Sequence, residues 1–198
     1  MKPFAVIRKN LGYLGFAFSL FVLGLLIGVI YFESLHELAK QFLQHIEKIA
    51  DKAKNGGSMN LSWLLLKNNV IASLVLLIGG FFLSIFTIYG LVMNGLVVGY
   101  ALVLMGKTAQ VPIWALVAFG ILPHGLLEIP AFLLSGAMGI KLGYMWLRPL
   151  PGRSRWRSVL YTIRESLYVL PVILALLLTA AVIEGFVTPI LLKWYVQS

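Results

Sequence analysis

Three ionisable side chains, His124, Glu128 and Glu184, lie inside stretches of the chain that are otherwise almost wholly apolar. If residues 123 to 129 hold a helical turn, His124 and Glu128 share one face and can share a proton or a ligand. An acidic group at the centre of a membrane helix costs roughly 2.5 to 3.5 kcal/mol on insertion scales, so such groups are hypotheses for function. Two further polar residues complete the candidate intramembrane polar site: Asn94 and Thr188.

Three roles are open for these residues. His124, Glu128 and Glu184 offer one nitrogen and two carboxylates, a set compatible with a bound divalent metal, although no His-Glu-x-x-His pattern is present. The same groups can relay a proton or gate a solute at a broken helix. In a purely structural role they satisfy backbone groups that a helix break exposes. No other cofactor is predicted.

The chain has no sequence pattern of a known enzyme class. It lacks a Gly-x-Ser-x-Gly elbow, a phosphate-binding loop and a dinucleotide fingerprint. The absence of cysteine excludes thiolate chemistry. Ser135 lies among small residues and is interpreted as a packing residue, not a nucleophile. An enzymatic function is therefore less favoured than assembly or transport, and an intramembrane metal-dependent hydrolase is the enzymatic alternative.

The composition indicates a membrane protein. The 198 residues are 60% hydrophobic and 12% charged, with a mean hydropathy of +0.94, whereas soluble domains carry roughly 25% charged residues. The net charge of +9 lies mainly at the ends of apolar segments, where the positive-inside rule and anionic lipid headgroups explain it better than nucleic acid does. One composition runs through the chain, which predicts a single integral membrane domain over residues 1–198.

The apolar segments predict an all-α, polytopic transmembrane bundle with five to six membrane segments. Apart from the long run described next, the segments are expected at 11–32, 64–89, 90–106 and 165–194. Lys67-Asn68-Asn69 is interpreted as a helix cap and interface anchor at the outer end of the second segment. Residues 35–54 repeat apolar side chains every three or four positions, which predicts an amphipathic helix.

The apolar run at 112–147 is too long for one straight crossing. A helix of 36 residues would extend about 54 Å, whereas the hydrocarbon core is about 30 Å thick. Pro123, Gly125 and Pro130 mark the expected helix break. We expect a re-entrant half-helix before Pro130 and a full crossing after it, which gives five spans. Two full crossings, giving six, are the alternative.

Small residues spaced by four predict faces on which helices approach closely. Gly24 and Gly28 form such a pair in the first segment. The other predicted packing positions are Gly95, Gly99, Ser135, Gly139 and Gly143. These faces serve either the folding of one chain or a homo-oligomer, and the sequence leaves both open.

Basic residues set the expected orientation. The N-terminal residues 1–10 carry Lys2, Arg8 and Lys9, and the expected loop at 148–164 carries five arginines. The positive-inside rule assigns such segments to the cytoplasm. We therefore expect a multi-pass protein of the cell (plasma or inner) membrane with a cytoplasmic N-terminus, in contact with the lipid bilayer and with no nucleic acid.

A family resemblance is carried by Leu122-Pro-His-Gly-Leu-Leu-Glu-Ile-Pro-Ala131, followed by Gly139-Ile-Lys-Leu-Gly143. This pattern resembles the signature of the stage II sporulation protein M family of integral membrane proteins, and the family-like core covers about residues 60–192. The resemblance implies a membrane scaffold that gathers other membrane or cell-envelope proteins, which is the function we expect first. The alternative is a transporter or channel for a proton, ion or small solute through a cavity lined by His124, Glu128 and Glu184.

Overall fold

The computed structural model describes residues 2–36, 57–108 and 112–197. In these ranges the chain forms a bundle of helices without strands. The helices are α1 (Pro3–Lys9), α2 (Leu11–Ile30), α3 (Gly57–Gly79), α4 (Ile85–Thr108), α5 (Ile113–Ala115), α6 (Leu122–Leu147), α7 (Arg155–Val182) and α8 (Thr188–Gln197). Two π-helices complete the order: the first, Leu116–Ile121, joins α5 to α6, and the second, Ile183–Val187, joins α7 to α8. The predicted amphipathic helix at 35–54 lies almost wholly outside the described residues.

Five helical segments of the described chain are long and apolar enough to cross a membrane. They are Leu11–Ile30, Ser62–Gly79, Ile85–Thr108, Val117–Leu147 and Arg155–Tyr195. Large apolar side chains such as Leu167 and Ile190 remain exposed on their outer faces, as contact with lipid requires. The predicted all-α membrane bundle is therefore confirmed.

Helices α2 and α4 approach each other until their backbones touch. A Cβ added to Gly24 would lie 2.0 Å from a backbone oxygen of α4, and one added to Gly95 would lie 2.0 Å from a backbone oxygen of α2. Gly28 and Gly99 are enclosed in the same way, at 2.2 and 2.1 Å. Because these contacts form within one chain, both glycine pairs serve its own folding.

The small-residue face of α6 packs against the hairpin that α3 and α4 form. A Cβ added to Gly139 would lie 2.2 Å from the backbone oxygen of Leu76, and one added to Gly143 would lie 2.3 Å from the backbone nitrogen of Ser84. The Ser84 hydroxyl donates to the Ile140 carbonyl oxygen at 2.9 Å. The spacing of small residues in the sequence thus marks where α6 meets this hairpin.

The turn between α3 and α4 lies earlier in the chain than the apolar pattern predicts. It occupies residues 80–84, where Leu83 and Ser84 adopt positive φ angles of 52° and 66°, so the predicted boundary at 89–90 is wrong. Helix α3 correspondingly begins at Gly57, which places Asn69 in the middle of the helix. The interpretation of Lys67-Asn68-Asn69 as a helix cap is therefore also wrong.

The long apolar run stays helical from Ile113 to Leu147. The first π-helix lies just before Pro123, and the Leu122 amide that closes it donates to the Val117 carbonyl oxygen, five residues back. Proline has no N–H and its ring crowds the preceding turn, and a wider π-turn accommodates both effects. Helix α6 then continues through Pro130. One continuous span takes the place of the expected half-helix and crossing, and the predicted helix break between Pro123 and Pro130 is not observed.

The basic segment at 148–164 is mostly helical, in contrast to the predicted loop. Serine is a favoured N-cap residue, and the Ser154 hydroxyl accepts a hydrogen bond from the Arg157 amide at 3.4 Å, so α7 begins at Arg155. The connecting loop is confined to residues 148–154. Three of the five arginines therefore lie on the first turns of α7.

Replacing Gly95 by alanine tests the contact between α2 and α4. The added Cβ must displace a backbone that it would otherwise meet at 2.0 Å, and overpacking of this kind costs about 1–3 kcal/mol. We expect a lower thermal unfolding midpoint for the purified protein in detergent. Gly12→Ala on α2 is the matched control, because nothing lies within 4 Å of its added Cβ. Equal midpoints for the two variants would contradict the close approach.

Candidate functional site

The side chains of His124, Glu128 and Glu184 converge at one place in the bundle. One possible ligand atom from each residue lies within 4.8 Å of those of the other two, and all three side chains are partly buried. His124 and Glu128 lie in the first turns of α6, whereas Glu184 lies in the second π-helix. The cluster, which we call the carboxylate–histidine site, is therefore built by two spans that are distant in sequence.

A π-helix adjoins or contains each part of this site. The first precedes His124 directly, and the second contains Glu184 and closes with a bond from the Thr188 amide to the Ile183 carbonyl oxygen. Pro189 follows the second π-helix as Pro123 follows the first, so a missing proline N–H explains both wide turns. Single π-turns inside α-helices are frequent at functional sites. Here the two π-helices lie in the same two segments of the chain that carry the ionisable residues.

Asn69 of α3 is a fourth member of the site that sequence reasoning missed. Its amide nitrogen donates to Oε1 of Glu128. Asn69 is buried, whereas the neighbouring Asn68 is exposed. Ser62 and Ser73 are buried on the same face of α3. This inward row of polar residues at helical spacing is the sequence signal that distinguishes Asn69 from a cap.

Two buried polar atoms near the carboxylates have no hydrogen-bond partner within the described part of the chain. They are Nδ1 of His124 and Oγ1 of Thr188, which lies one turn after Glu184. Buried polar atoms in folded proteins nearly always have a partner in the protein or in ordered water. Both atoms therefore remain able to form a hydrogen bond with a water molecule or a ligand at the site.

The arrangement is suited to holding a cation. Two ionised carboxylates this close repel each other strongly in a low-dielectric interior, and a proton or metal ion held between them removes the repulsion. Zinc accepts imidazole nitrogen and carboxylate oxygen at about 2.0–2.2 Å, which sets tetrahedral ligand atoms roughly 3.4 Å apart. The ligand atoms of the three side chains lie up to 4.8 Å apart, so a bound Zn²⁺ would require them to move closer together. The hydrogen bond from Asn69 would orient Glu128, as outer-shell partners orient metal ligands.

Two other residues singled out in the sequence, Asn94 and Ser135, form hydrogen bonds within their own helices. The Asn94 amide donates to a backbone oxygen of α4 at 2.8 Å, and the Ser135 hydroxyl donates to a backbone oxygen of α6 at 3.0 Å. Neither bonds to the carboxylate–histidine site among the residues that the structure describes. Gly125 is buried, but a Cβ added there would meet only a side-chain atom of Ile121 at 3.6 Å. Its lack of a side chain is therefore not needed for close helix approach.

A second polar cluster, which the sequence analysis did not identify, lies near the other end of α6. Lys141 and Glu165 form an ion pair in which the residues are 3% and 0% exposed. The Lys9 amine lies 3.0 Å from the other carboxylate oxygen of Glu165, and Lys141 also donates to Oδ1 of Asn10 at 2.7 Å. We call these four residues the lysine–glutamate cluster. It ties the start of the chain to α6 and α7.

Lys9 has a further partner at the edge of this cluster. Its amine donates to the Tyr161 hydroxyl oxygen at 2.8 Å. This hydrogen bond raises the pKa of the Lys9 amine above its usual range, against the opposing effect of partial burial and with support from Glu165. Lys9 therefore remains charged at neutral pH and holds one oxygen of the Glu165 carboxylate.

The two polar clusters lie on the same pair of helical spans. At 1.5 Å per residue, His124 and Lys141 are about 25 Å apart along α6, and Glu165 and Glu184 are about 28 Å apart along the last span. These separations approach the hydrocarbon thickness of about 30 Å, so the clusters lie toward opposite faces of a bilayer. Between them lies an apolar core that includes Leu134, Met138, Val169, Ile173 and Leu177.

Comparison with known proteins identifies a family and two relatives of this chain. The family described as stage II sporulation protein M matches residues 17–189. An uncharacterized protein of Methanocaldococcus jannaschii is 29% identical over 167 residues, which cover 83% of this chain and 72% of the relative. A second uncharacterized protein of that organism is 28% identical over 150 residues, which cover 74% of this chain and 83% of the relative. No solved structure matches the chain.

Replacing Lys141 by methionine tests the lysine–glutamate cluster. The change leaves the buried Glu165 without one of its two cations, and breaking a buried ion pair on one side costs about 3–5 kcal/mol. We expect the double variant Lys141→Met/Glu165→Leu to lose less unfolding free energy than the two single variants together. Equilibrium unfolding in mixed micelles measures this, with the exposed Lys2→Met as control. Strict additivity of the two single effects would show that the residues do not interact.

Proposed function

The chain belongs to the stage II sporulation protein M family of membrane proteins, and from the geometry of its carboxylate–histidine site we propose that it binds a cation there and transports it across the membrane. The observation that carries the proposal is the convergence of His124, Glu128 and Glu184 within 4.8 Å. Acidic and histidine side chains inside membrane spans mark ion paths and proton relays. Irregular helix segments near such groups are a recurrent feature of transporter binding sites.

The surroundings of the site support access from one side of the membrane at a time. The apolar core around Met138 and Ile173 separates the carboxylate–histidine site from the opposite face. Beyond this core, the buried pair of Lys141 and Glu165 holds α6 against α7. A cation that enters at Glu184 can leave on the other side only after α6 and α7 move apart. Transport in this proposal therefore alternates between the two faces.

Charge supports one orientation of the protein in the plasma membrane. The bundle end formed by α1, the 80–84 turn and the 148–154 loop, which we call the basic end, is surrounded by Lys and Arg residues. Residues 1–32 and 129–165 hold nine of the chain's sixteen basic residues and only one acidic residue, Glu165. The positive-inside rule favours a cytoplasmic position for this end. The N-terminus is then cytoplasmic, and the carboxylate–histidine site lies toward the outer face.

Family membership favours scaffolding of partner proteins as a second candidate function. In that case the polar site stabilises the fold, and loss of Glu128 weakens partner recovery without any effect on ion flux. The small-residue faces do not supply the docking surface, because Gly24, Gly95 and Gly139 are enclosed within the chain. A metal-dependent hydrolase is a third candidate, which requires bound metal and a cleaved substrate without transport.

Ion flux through proteoliposomes tests the proposed transport. We expect protein-dependent uptake of protons or Zn²⁺, read by dyes enclosed in the vesicles. Glu128→Gln keeps the shape of the side chain but removes its charge, and should lower the flux about tenfold or more, because the amide can neither release a proton nor offer an ionised oxygen to the cation. Glu33→Gln is the control, since Glu33 is an exposed acid that pairs with Lys107 outside the site. Unchanged flux in folded Glu128→Gln would refute the proposal.

Replacing Asn69 by leucine tests whether its hydrogen bond tunes cation binding. Loss of an outer-shell partner lowers metal affinity about 10–100-fold at known sites. We expect Zn²⁺ binding, measured by equilibrium dialysis of the purified protein, to weaken by a factor in this range. The exposed neighbour Asn68→Leu should bind as the unchanged protein does. Equal affinities for the two variants would remove Asn69 from the site.

A further inference from the structure

A surface cavity of 530 Å³ lies at the basic end, beside the start of α7. Its lining consists of Gly152, Arg153, Arg157, Leu160, Tyr161 and Arg164. None of the three arginines forms an ion pair among the described residues. The nearby Glu165 does not compensate them, because its two oxygens are taken by Lys9 and Lys141. The cavity therefore concentrates positive charge that the described residues leave unbalanced.

The chemistry of the cavity fits a phosphate group. The planar guanidinium group matches phosphate oxygens in a bidentate manner, and three such groups line one cavity. The Arg153 guanidinium lies 4.7 Å from the centre of the Tyr161 ring, and this cation–π contact holds it beside the cavity without neutralising it. An anion bound here would relieve the repulsion among the arginines.

An exposed stripe, which begins with arginines and continues with apolar side chains and which we call the leucine stripe, extends from this cavity along α7. The spacing between successive residues of the stripe alternates between three and four positions, and every residue is exposed. The residues are Arg157, Leu160, Arg164, Leu167, Pro171, Leu174 and Leu178. This spacing places them on a single face of the helix. From Arg157 to Leu178 the stripe extends about 32 Å at 1.5 Å per residue, which is enough to follow an acyl chain. A free phosphate ion would contact only the arginine end of this stripe.

Aromatic side chains place the cavity at the membrane boundary. Trp146 and Trp156 lie together with ring centres 6.3 Å apart, and Trp156 is 53% exposed. Tryptophan is enriched where headgroups meet hydrocarbon. The arginines therefore lie at headgroup level, and the leucines extend into the apolar layer.

From this continuity we infer that the arginine cavity and the leucine stripe of α7 form a binding site for one anionic phospholipid. Arg153, Arg157 and Arg164 bind its phosphate, and the acyl chains lie along Leu167 and Leu174. This site is separate from the carboxylate–histidine site and does not depend on the proposed transport. It is more selective than the general attraction of basic segments to anionic membranes, because it requires particular arginines.

Native mass spectrometry of the full-length protein tests the inference. The protein is released from micelles that contain phosphatidylglycerol and phosphatidylcholine with identical acyl chains in equal amounts. We expect the unchanged protein to retain phosphatidylglycerol preferentially. The variant Arg157→Gln/Arg164→Gln should lose about tenfold in retained phosphatidylglycerol, because each basic residue adds appreciably to binding of anionic lipid. Arg155→Gln is the matched control, since Arg155 is exposed on the same helix but does not line the cavity.

Three results would overturn the lipid site. Equal retention of both lipids by the unchanged protein, or equal losses in Arg155→Gln and the double variant, would reduce the cavity to a general basic surface. Thermal stabilisation by inorganic phosphate or glycerophosphoglycerol that matches stabilisation by the diacyl lipid would make the ligand a free phosphate compound. The lipid competition and the thermal test both use the unchanged protein, so they decide the question even if the double variant fails to fold.

Discussion

Hydrocarbon offers no hydrogen-bond partner to a charged side chain, so each ionisable group inside this bundle must find its partner within the protein. The two polar clusters meet this constraint to different degrees. Both oxygens of Glu165 are paired, and Lys141 has two partners. At the other cluster, Glu128 is bonded to Asn69, whereas Nδ1 of His124 has no partner among the described residues. The lysine–glutamate cluster, in which the charged groups are paired, holds helices together. The carboxylate–histidine site, in which pairing is incomplete, can still bind a ligand.

The bundle has a part in which helix backbones touch and a part with less regular helices. Helices α2 and α4 meet at Gly24 and Gly95 without room for a side chain between them, and α6 meets the α3–α4 hairpin through Gly139 in the same way. Such contacts leave no space for sliding or for water. The carboxylate–histidine site lies beyond these contacts, between segments whose regular helical pattern is interrupted by π-turns. The fold thus combines a tightly fixed frame with a less regular end that carries the incompletely paired residues.

The sequence identified the ionisable residues of one cluster but not their arrangement. His124, Glu128 and Glu184 are recognisable because charge in an apolar segment is costly. Their convergence depends on which helices pack together, and that information is not contained in local spacing. Asn69 was misassigned because asparagine is a common helix cap, and the true start of α3 at Gly57 lies among small polar residues without a strong signal.

The sequence did not predict the lysine–glutamate cluster or the 80–84 turn, and the reasons are related. Lys141 is a single basic residue in a long apolar run, and Glu165 follows a basic segment that is typical of a membrane–water interface. Each residue alone looks incidental, and only the packing of α6 on α7 pairs them. The 80–84 turn contains no charged residue, so hydropathy runs through it without a change. The family signature around Pro123, in contrast, was recognisable directly from the residues and agrees with the match over 17–189.

The two π-helices make the structure sensitive to the number of residues in the segments that contain them. A π-turn holds one residue more than an α-helical turn needs, and an α-helix rotates by about 100° per residue. Deleting a single residue near Gly185 would convert the wide turn to a regular α-turn, and the ring of Pro189 would then crowd the preceding turn of the helix. Substitutions around the site change one side chain, whereas a deletion in the π-turn also changes the hydrogen-bonding pattern of the helix. In evolutionary terms, the spacing between Glu184 and Pro189 is exposed to selection in its own right, whatever residues occupy it.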